Sequence, residues 1–281
     1  MVSENKCTIS YVNLLKEDLV ILRIVPNDGI IPDYLSGQFT TLGISVISEN
    51  YKIVRRAYSI ASHPENKKYF EFVLRWVRKP LPGRVTTQLF YASEGDQVTL
   101  GKPTGNALTI NDTLPDGSND ERRIVCIGGG TGIAPFVSFA QHLRAIGDKR
   151  EIVVLHGASY VDELSYKGLF SRLEEESLDR GKDKWNFRYR ASISRPEEWF
   201  NRSWKGQLGR VENFLRAKDG GMSPLEELVG EKITKENTIF YICGWQGTID
   251  GSMNYLSPKG FVTFHDKRED ESFEVKYESY G

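Results

Sequence analysis

One segment narrows the folds open to this chain more than any other: Ile124-Val125-Cys126-Ile127-Gly128-Gly129-Gly130-Thr131-Gly132-Ile133-Ala134-Pro135-Phe136. Its apolar start reads as a buried strand, its glycines as a tight turn, and residues 134–145 as a helix. Glycines in such a turn let backbone N–H groups approach a pyrophosphate, and the N-terminus of the helix favours the negative charge. Pro135 suits the first helical turn, where its missing N–H costs nothing. The spacing departs from the common GxGxxG, because proline stands where the third glycine falls. The competing reading of the segment by itself is a tight strand–helix turn without a ligand.

The same grammar continues toward the C-terminus. Residues 152–155, 187–193 and 238–243 read as strands and 166–176 as a helix, so strands alternate with helices and a parallel sheet covered on both faces follows. The first part of the chain is different. Residues 8–15, 20–25, 38–44, 56–61, 70–77 and 97–100 are short candidate strands, several alternating in polarity, with Gly/Pro/Asn/Asp-rich turns between them. They predict an antiparallel barrel or sandwich. A chain of 281 residues exceeds what one core comfortably holds. The polar, turn-forming stretch Leu114-Pro115-Asp116-Gly117-Ser118-Asn119-Asp120-Glu121 is the natural boundary. The expected organisation is an α+β two-domain chain, with an antiparallel β-barrel over residues 1–114 and an α/β parallel-sheet, Rossmann-like domain over 121–281.

Charge and cysteine usage exclude several classes. A net charge of −1 gives no overall case for nucleic acid or an anionic membrane. No apolar run approaches the ~20 residues that span a bilayer. The opening residues lack the charged-then-apolar pattern of a secretion signal, so a cytoplasmic chain without membrane insertion is expected. The three cysteines, Cys7, Cys126 and Cys243, are far apart and form no CxxC. That argues against a disulfide framework, a zinc site or an iron–sulfur cluster held by four cysteines, and no metal is expected.

Two segments of the barrel half carry further candidate chemistry. Arg55-Arg56-Ala57-Tyr58-Ser59-Ile60-Ala61-Ser62 places an arginine, an aromatic ring and a hydroxyl in one strand. They are able to grip a phosphate, lie on a planar ring and bond a ring edge. An ordinary strand with a surface arginine has the same composition. Further on, Pro82-Gly83-Arg84-Val85-Thr86-Thr87-Gln88-Leu89 reads as a glycine before a short helix with a hydroxyl in its first turn. That makes either a second anion cradle or a capped surface helix.

In this order and spacing the three segments resemble the ferredoxin–NADP reductase superfamily, and its bacterial FAD-containing members in particular. Arg56, Tyr58 and Ser59, with Ala57 between them, match the strand that holds the flavin ring and its phosphates. Gly83 and Thr86, with Arg84 and Val85 between them, match the helix start that cradles the FAD pyrophosphate. Gly130, Thr131, Gly132 and Pro135 match the Gly-x-Gly-x-x-Pro cradle for that of the nicotinamide cofactor. Ser36-Gly37-Gln38-Phe39 looks like the family's preceding barrel strand. Ile242-Cys243-Gly244 matches its Cys-Gly motif near the nicotinamide. Glu278-Ser279-Tyr280-Gly281 resembles its Glu-x-Tyr tail, although the last residue is glycine where relatives often end in an aromatic. Glu274 with Tyr277 is a shifted alternative.

The resemblance implies that Ser59, Cys243 and Glu278 serve hydride transfer, and that Tyr58 and Tyr280 flank the flavin. It implies FAD and NADP(H) as cofactors and ferredoxin or flavodoxin as partner. A 2′-phosphate calls for arginine or serine near the ribose, and Ser194-Arg195 at the end of a strand match that site, with Arg210 as a second candidate. The end of the preceding strand, His156-Gly157-Ala158-Ser159-Tyr160, carries no acid, although Asp162 and Glu163 follow closely. Rival readings are a reductase serving an oxygenase or free flavin, and a non-catalytic nucleotide-binding redox module.

Overall fold

The computed structural model describes residues 5–46, 52–78, 80–217 and 220–280. Contacts divide the chain into two compact units, residues 1–109 with 137–142, and residues 110–136 with 143–281.

The first unit opens on β1 (Asn5–Lys16) and β2 (Leu19–Pro26), an antiparallel hairpin turned over the polar pair Glu17 and Asp18. β3 (Phe39–Val46), β4 (Lys52–Ser59) and β5 (Phe70–Arg75) follow, then the short helix α1 (Arg84–Phe90) and β6 (Gln97–Leu100). All pairings are antiparallel, in the order β4-β3-β6-β1-β2-β5. The outer strands are joined where Ala61 N–H donates to the Glu71 carbonyl at 2.8 Å, which closes the sheet into the expected barrel. Ile9, Val20, Leu22, Ile24, Leu42, Phe70, Phe72 and Leu74 fill it, and Val85 and Leu89 of α1 join the same core. Each such side chain contributes roughly 1.5–3 kcal/mol on leaving water. β4 begins and ends earlier than the 56–61 expectation. Lys52 to Val54 pair with β3, whereas Ile60 and Ala61 leave the strand to bond Gln38 and Glu71.

The second unit holds β7 (Arg123–Gly129), α2 (Ala134–Ile146), β8 (Ile152–Ala158), α3 (Lys167–Arg180), β9 (Phe187–Ile193) and β10 (Gln207–Leu208). It continues through α4 (Pro224–Val229), β11 (Thr238–Gly244), α5 (Gln246–Leu256) and β12 (Val275–Ser279). The six strands are all parallel, in the order β10-β9-β8-β7-β11-β12. From β7 the chain builds outward in one direction through β8 to β10, then returns to lay β11 and β12 on the other side. The reversal lies between β7 and β11, the point where sheets of this kind bind ligands at the carboxyl ends of their strands.

The polar boundary stretch is an ordered turn rather than a loose tether. Arg122 is bidentate on Asp120 at 2.8 and 2.7 Å. Arg150 bonds the carbonyls of Asn111 and Asp120 at 3.0 Å together with Asp148 and Asp112. Residues Val275–Ser279 near the C-terminus form β12, and Gly281 lies outside the described residues. No described helix is long and apolar enough to cross a membrane.

Candidate active site

In the barrel unit the candidate residues of β4 and α1 converge. The Tyr58 hydroxyl and Thr86 Oγ1 share a hydrogen bond of 2.8 Å, which ties the strand to the first turn of α1. Burial raises the Tyr58 pKa, so the phenol stays neutral. A methyl group built on Gly83 stands 3.7 Å from Arg56 Nη1, so that guanidinium reaches the residue opening α1. Arg56, Ala57 and Arg84 are exposed, while Ser59, Val85 and Thr86 are buried. Trp76 Nε1 donates to Thr87 Oγ1 at 3.0 Å and steadies the same helix. No described side chain caps its N-terminus. Exposed cation, half-buried ring and uncapped helix start suit a phosphate-bearing planar cofactor.

In the second unit the glycine turn takes the form of a tight 3-10 turn, Gly130–Ile133, leading into α2 with Pro135 in its first turn. Gly130 has a left-handed φ of 57° and no atom within 4 Å of where a Cβ would stand. An L side chain there is strained, and the approach from solvent is left open. Gly132 is required for the opposite reason: a Cβ on it falls 2.2 Å from the carbonyl oxygen of Cys243. The turn therefore packs directly on the end of β11, and no described side chain caps the start of α2. Those two glycines fit a pyrophosphate lying on backbone.

Beneath this turn lies a residue that sequence reading passed over. His156 of β8 pairs with Gly128 of β7, is fully buried, and has Nε2 3.3 Å from the Gly130 carbonyl. Burial pushes its pKa down to about 4, so the ring is neutral and supports the turn as a hydrogen-bond donor. The only signal in the sequence is a polar residue inside an otherwise apolar strand.

Beside the turn, parallel pairing puts Cys243 opposite Glu278 and Gly244 opposite Ser279. Cys243 is buried; burial pushes its thiol pKa up, the nearby Glu278 adds to this, and a hydrogen bond with the Tyr280 side chain opposes it. Burial also pushes the Glu278 carboxyl up to about 7. Tyr280 N–H donates to the Gly244 carbonyl at 3.0 Å. Cys243, Glu278 and Tyr280 are thus gathered at one strand end. The shifted candidate Glu274 is occupied otherwise: it accepts from Arg268 at 2.6 and 2.9 Å and from Val262 N–H at 3.1 Å.

At the ends of β8 and β9, Ser194 and Arg195 are exposed, and Arg195 Nη1 donates to the Tyr160 hydroxyl at 2.9 Å. Glu163 is buried at 3% exposure and turns inward to accept from Ser159 N–H at 3.1 Å. Arg210 lies over the start of α5, its Nη1 3.5 Å from a Cβ built on Gly247.

With this geometry in view, similarity to known proteins defines the class. Residues 6–108 match the oxidoreductase FAD-binding domain family and residues 126–252 the oxidoreductase NAD-binding domain family. The chain belongs to the ferredoxin reductase superfamily, the oxidoreductases that pair an FAD-binding with an NAD(P)-binding domain. It is 28% identical over 205 residues to one component of the Na(+)-translocating NADH-quinone reductase of Marinomonas sp., covering 70% of this chain and 44% of that one. It is 27% identical over 243 residues to the reductase component of propane 2-monooxygenase of Mycolicibacterium goodii, covering 85% and 59%. The chain therefore spans only part of the length of these curated relatives. Its fold resembles a Neisseria gonorrhoeae ferredoxin NADP+ reductase solved with FAD and NADP, with a TM-score of 0.75 over 99% of both chains at 22% identity.

Proposed function

We propose that the chain is an FAD-dependent oxidoreductase that exchanges electrons between NADP(H) and a one-electron protein carrier, ferredoxin or flavodoxin. The observation that carries the choice of NADP(H) is the corner of Ser194, Arg195 and Tyr160, with the neighbouring acid Glu163 buried away from it. An arginine beside hydroxyls suits a 2′-phosphate, and Glu163 is withdrawn from it, while Asp162, Glu197 and Glu198 in the same loops are exposed.

A bound flavin supplies the chemistry that links a two-electron donor to one-electron carriers. In this reading residues 1–114 hold FAD and residues 121–281 hold the nicotinamide cofactor. Arg56, Ala57, Tyr58 and Ser59 place the flavin, and Gly83, Arg84, Val85 and Thr86 receive its phosphates. Gly130, Thr131, Gly132 and Pro135 receive the other pyrophosphate, and Arg210 assists Ser194 and Arg195. Cys243 and Glu278 orient the nicotinamide, and Tyr280 occupies that place until the cofactor enters. Hydride transfer gains from such positioning because the reacting atoms meet at contact distance with water excluded.

The similarity to the propane 2-monooxygenase reductase component favours one second reading, a reductase that serves an oxygenase. The test is anaerobic reduction of a panel of ferredoxins and flavodoxins by NADPH through the FAD-loaded chain. Carrier reduction supports the first reading. Turnover with an oxygenase component and with no carrier of the panel transfers the assignment to the second.

A further inference from the structure

One buried amide holds the corner at the ends of β8 and β9. Asn201 is 2% exposed, and its side chain is given over to backbone. Its Oδ1 accepts from Val161 N–H at 3.0 Å, and its Nδ2 donates to the carbonyls of Ser159 at 3.0 Å and Arg195 at 2.7 Å. Those partners fix which way the amide points, since an exchanged oxygen and nitrogen would set like against like. Ser159 and Val161 flank Tyr160 in the loop after β8, and Arg195 lies in the loop after β9. The two loops are joined a second time where Ser194 N–H donates to the Ala158 carbonyl at 2.9 Å.

On this base Tyr160 and Arg195 meet. Besides the bond from Nη1 to the phenol oxygen, the guanidinium carbon stands 5.4 Å from the ring centroid. The Tyr160 ring is itself braced by Phe200, edge to face at 6.4 Å and 86°. An exposed arginine ordinarily samples many rotamers and loses that freedom when it grips a ligand. Here the ordering is done before a ligand arrives, which is how preorganisation raises affinity without adding contacts.

We propose that Tyr160 and Asn201 are positioning residues for recognition of a 2′-phosphorylated adenosine. Tyr160 holds the Arg195 guanidinium in one orientation, and Asn201 fixes the two loops that carry the pair. Selectivity then belongs to a preformed corner rather than to Arg195 alone. The proposal rests on the NADP(H) reading above.

Calorimetric titration of the FAD-loaded full chain with adenosine 2′,5′-bisphosphate and with 5′-AMP tests it. Arg195→Ala, Tyr160→Phe and Asn201→Ala are compared with wild type. Tyr160→Phe keeps the braced ring and removes only the hydroxyl, so it tests the idea even if Asn201→Ala folds poorly. Loss of the one orienting hydrogen bond in Tyr160→Phe is expected to weaken the bisphosphate about three- to tenfold, and loss of the three loop-anchoring bonds in Asn201→Ala by at least as much, while 5′-AMP binds as before. A merely structural role weakens both ligands alike. If Arg195→Ala removes the preference for the bisphosphate while Tyr160→Phe and Asn201→Ala leave it at the wild-type ratio, the proposal is overturned and the NADP(H) reading stands. If wild type shows no preference and Arg195→Ala changes nothing, the NADP(H) reading itself fails.

Discussion

Replacing Glu278 by glutamine separates the charge of that side chain from its shape. Burial pushes the carboxyl pKa from an ordinary 4.5 up to about 7. The unfolded chain releases the proton near the lower value and the folded chain near the higher one. Between them the fold holds the extra proton, so stability falls as pH rises; above about 7 both states are ionised and the loss is complete. A shift of that size corresponds to about 3 kcal/mol. Glutamine keeps the planar group and does not titrate. Glu278→Gln is therefore expected to equal wild type near the lower pKa and to exceed it by up to about 3 kcal/mol at about pH 8. In the proposed function the ionised carboxylate would have a compensating use, stabilising the positive charge a nicotinamide gains as it gives up hydride. Reduction of the flavin by NADPH is expected to accelerate in wild type as pH rises through about 7. In the variant it stays flat and about tenfold below the wild-type plateau, with NADPH affinity changed far less. Denaturant unfolding across the pH range, with FAD saturating in both proteins, measures the first effect; anaerobic rapid mixing measures the second. Parallel stability curves would refute the perturbed carboxyl. Identical pH–rate profiles would remove Glu278 from the chemistry.

Two further substitutions test the nucleotide end. Gly132→Ala places a methyl 2.2 Å from the Cys243 carbonyl oxygen; it is expected to cost about 1–3 kcal/mol of stability and to abolish tight NADP(H) binding, and calorimetry showing wild-type affinity would contradict the packing argument. Tyr280→Ser frees the place beside Cys243, and NADP+ binding is expected to tighten about two- to tenfold with a stronger flavin difference spectrum and better use of NADH. Unchanged titration spectra would place the Tyr280 ring away from the nicotinamide.

Much of the fold was legible because local signals agreed with the global one. The strand, glycines and proline of residues 124–136 dictate a strand–turn–helix whatever surrounds them, and β6 and β9 were delimited by their own turns and alternation. β12 was harder to delimit, because its alternation of apolar and charged residues from Phe273 to Glu278 is short and its parallel pairing with β11 joins segments some 30 residues apart in sequence. α5 was hidden by Gly247 and Gly251, poor helix formers, of which Gly251 allows close packing: a Cβ there would stand 2.8 Å from Glu212 Oε1. At the candidate site, motif residues with fixed spacing were readable, whereas His156, Tyr160 and Asn201 act through contacts between separate strands and loops. Glu163 reads as an acid near the ribose and is in fact a buried acceptor for Ser159 N–H; only the fold tells the two apart.

Anaerobic rapid mixing of the FAD-loaded chain with NADPH or NADH tests the central claim most directly. The account predicts a yellow protein whose released flavin is FAD, bleached fully by NADPH and at least about tenfold less efficiently by NADH, the difference a charge-assisted bond to the 2′-phosphate supplies. A protein that binds no FAD, or whose colour neither cofactor changes, would contradict it; equal bleaching by both would contradict its choice of NADP(H).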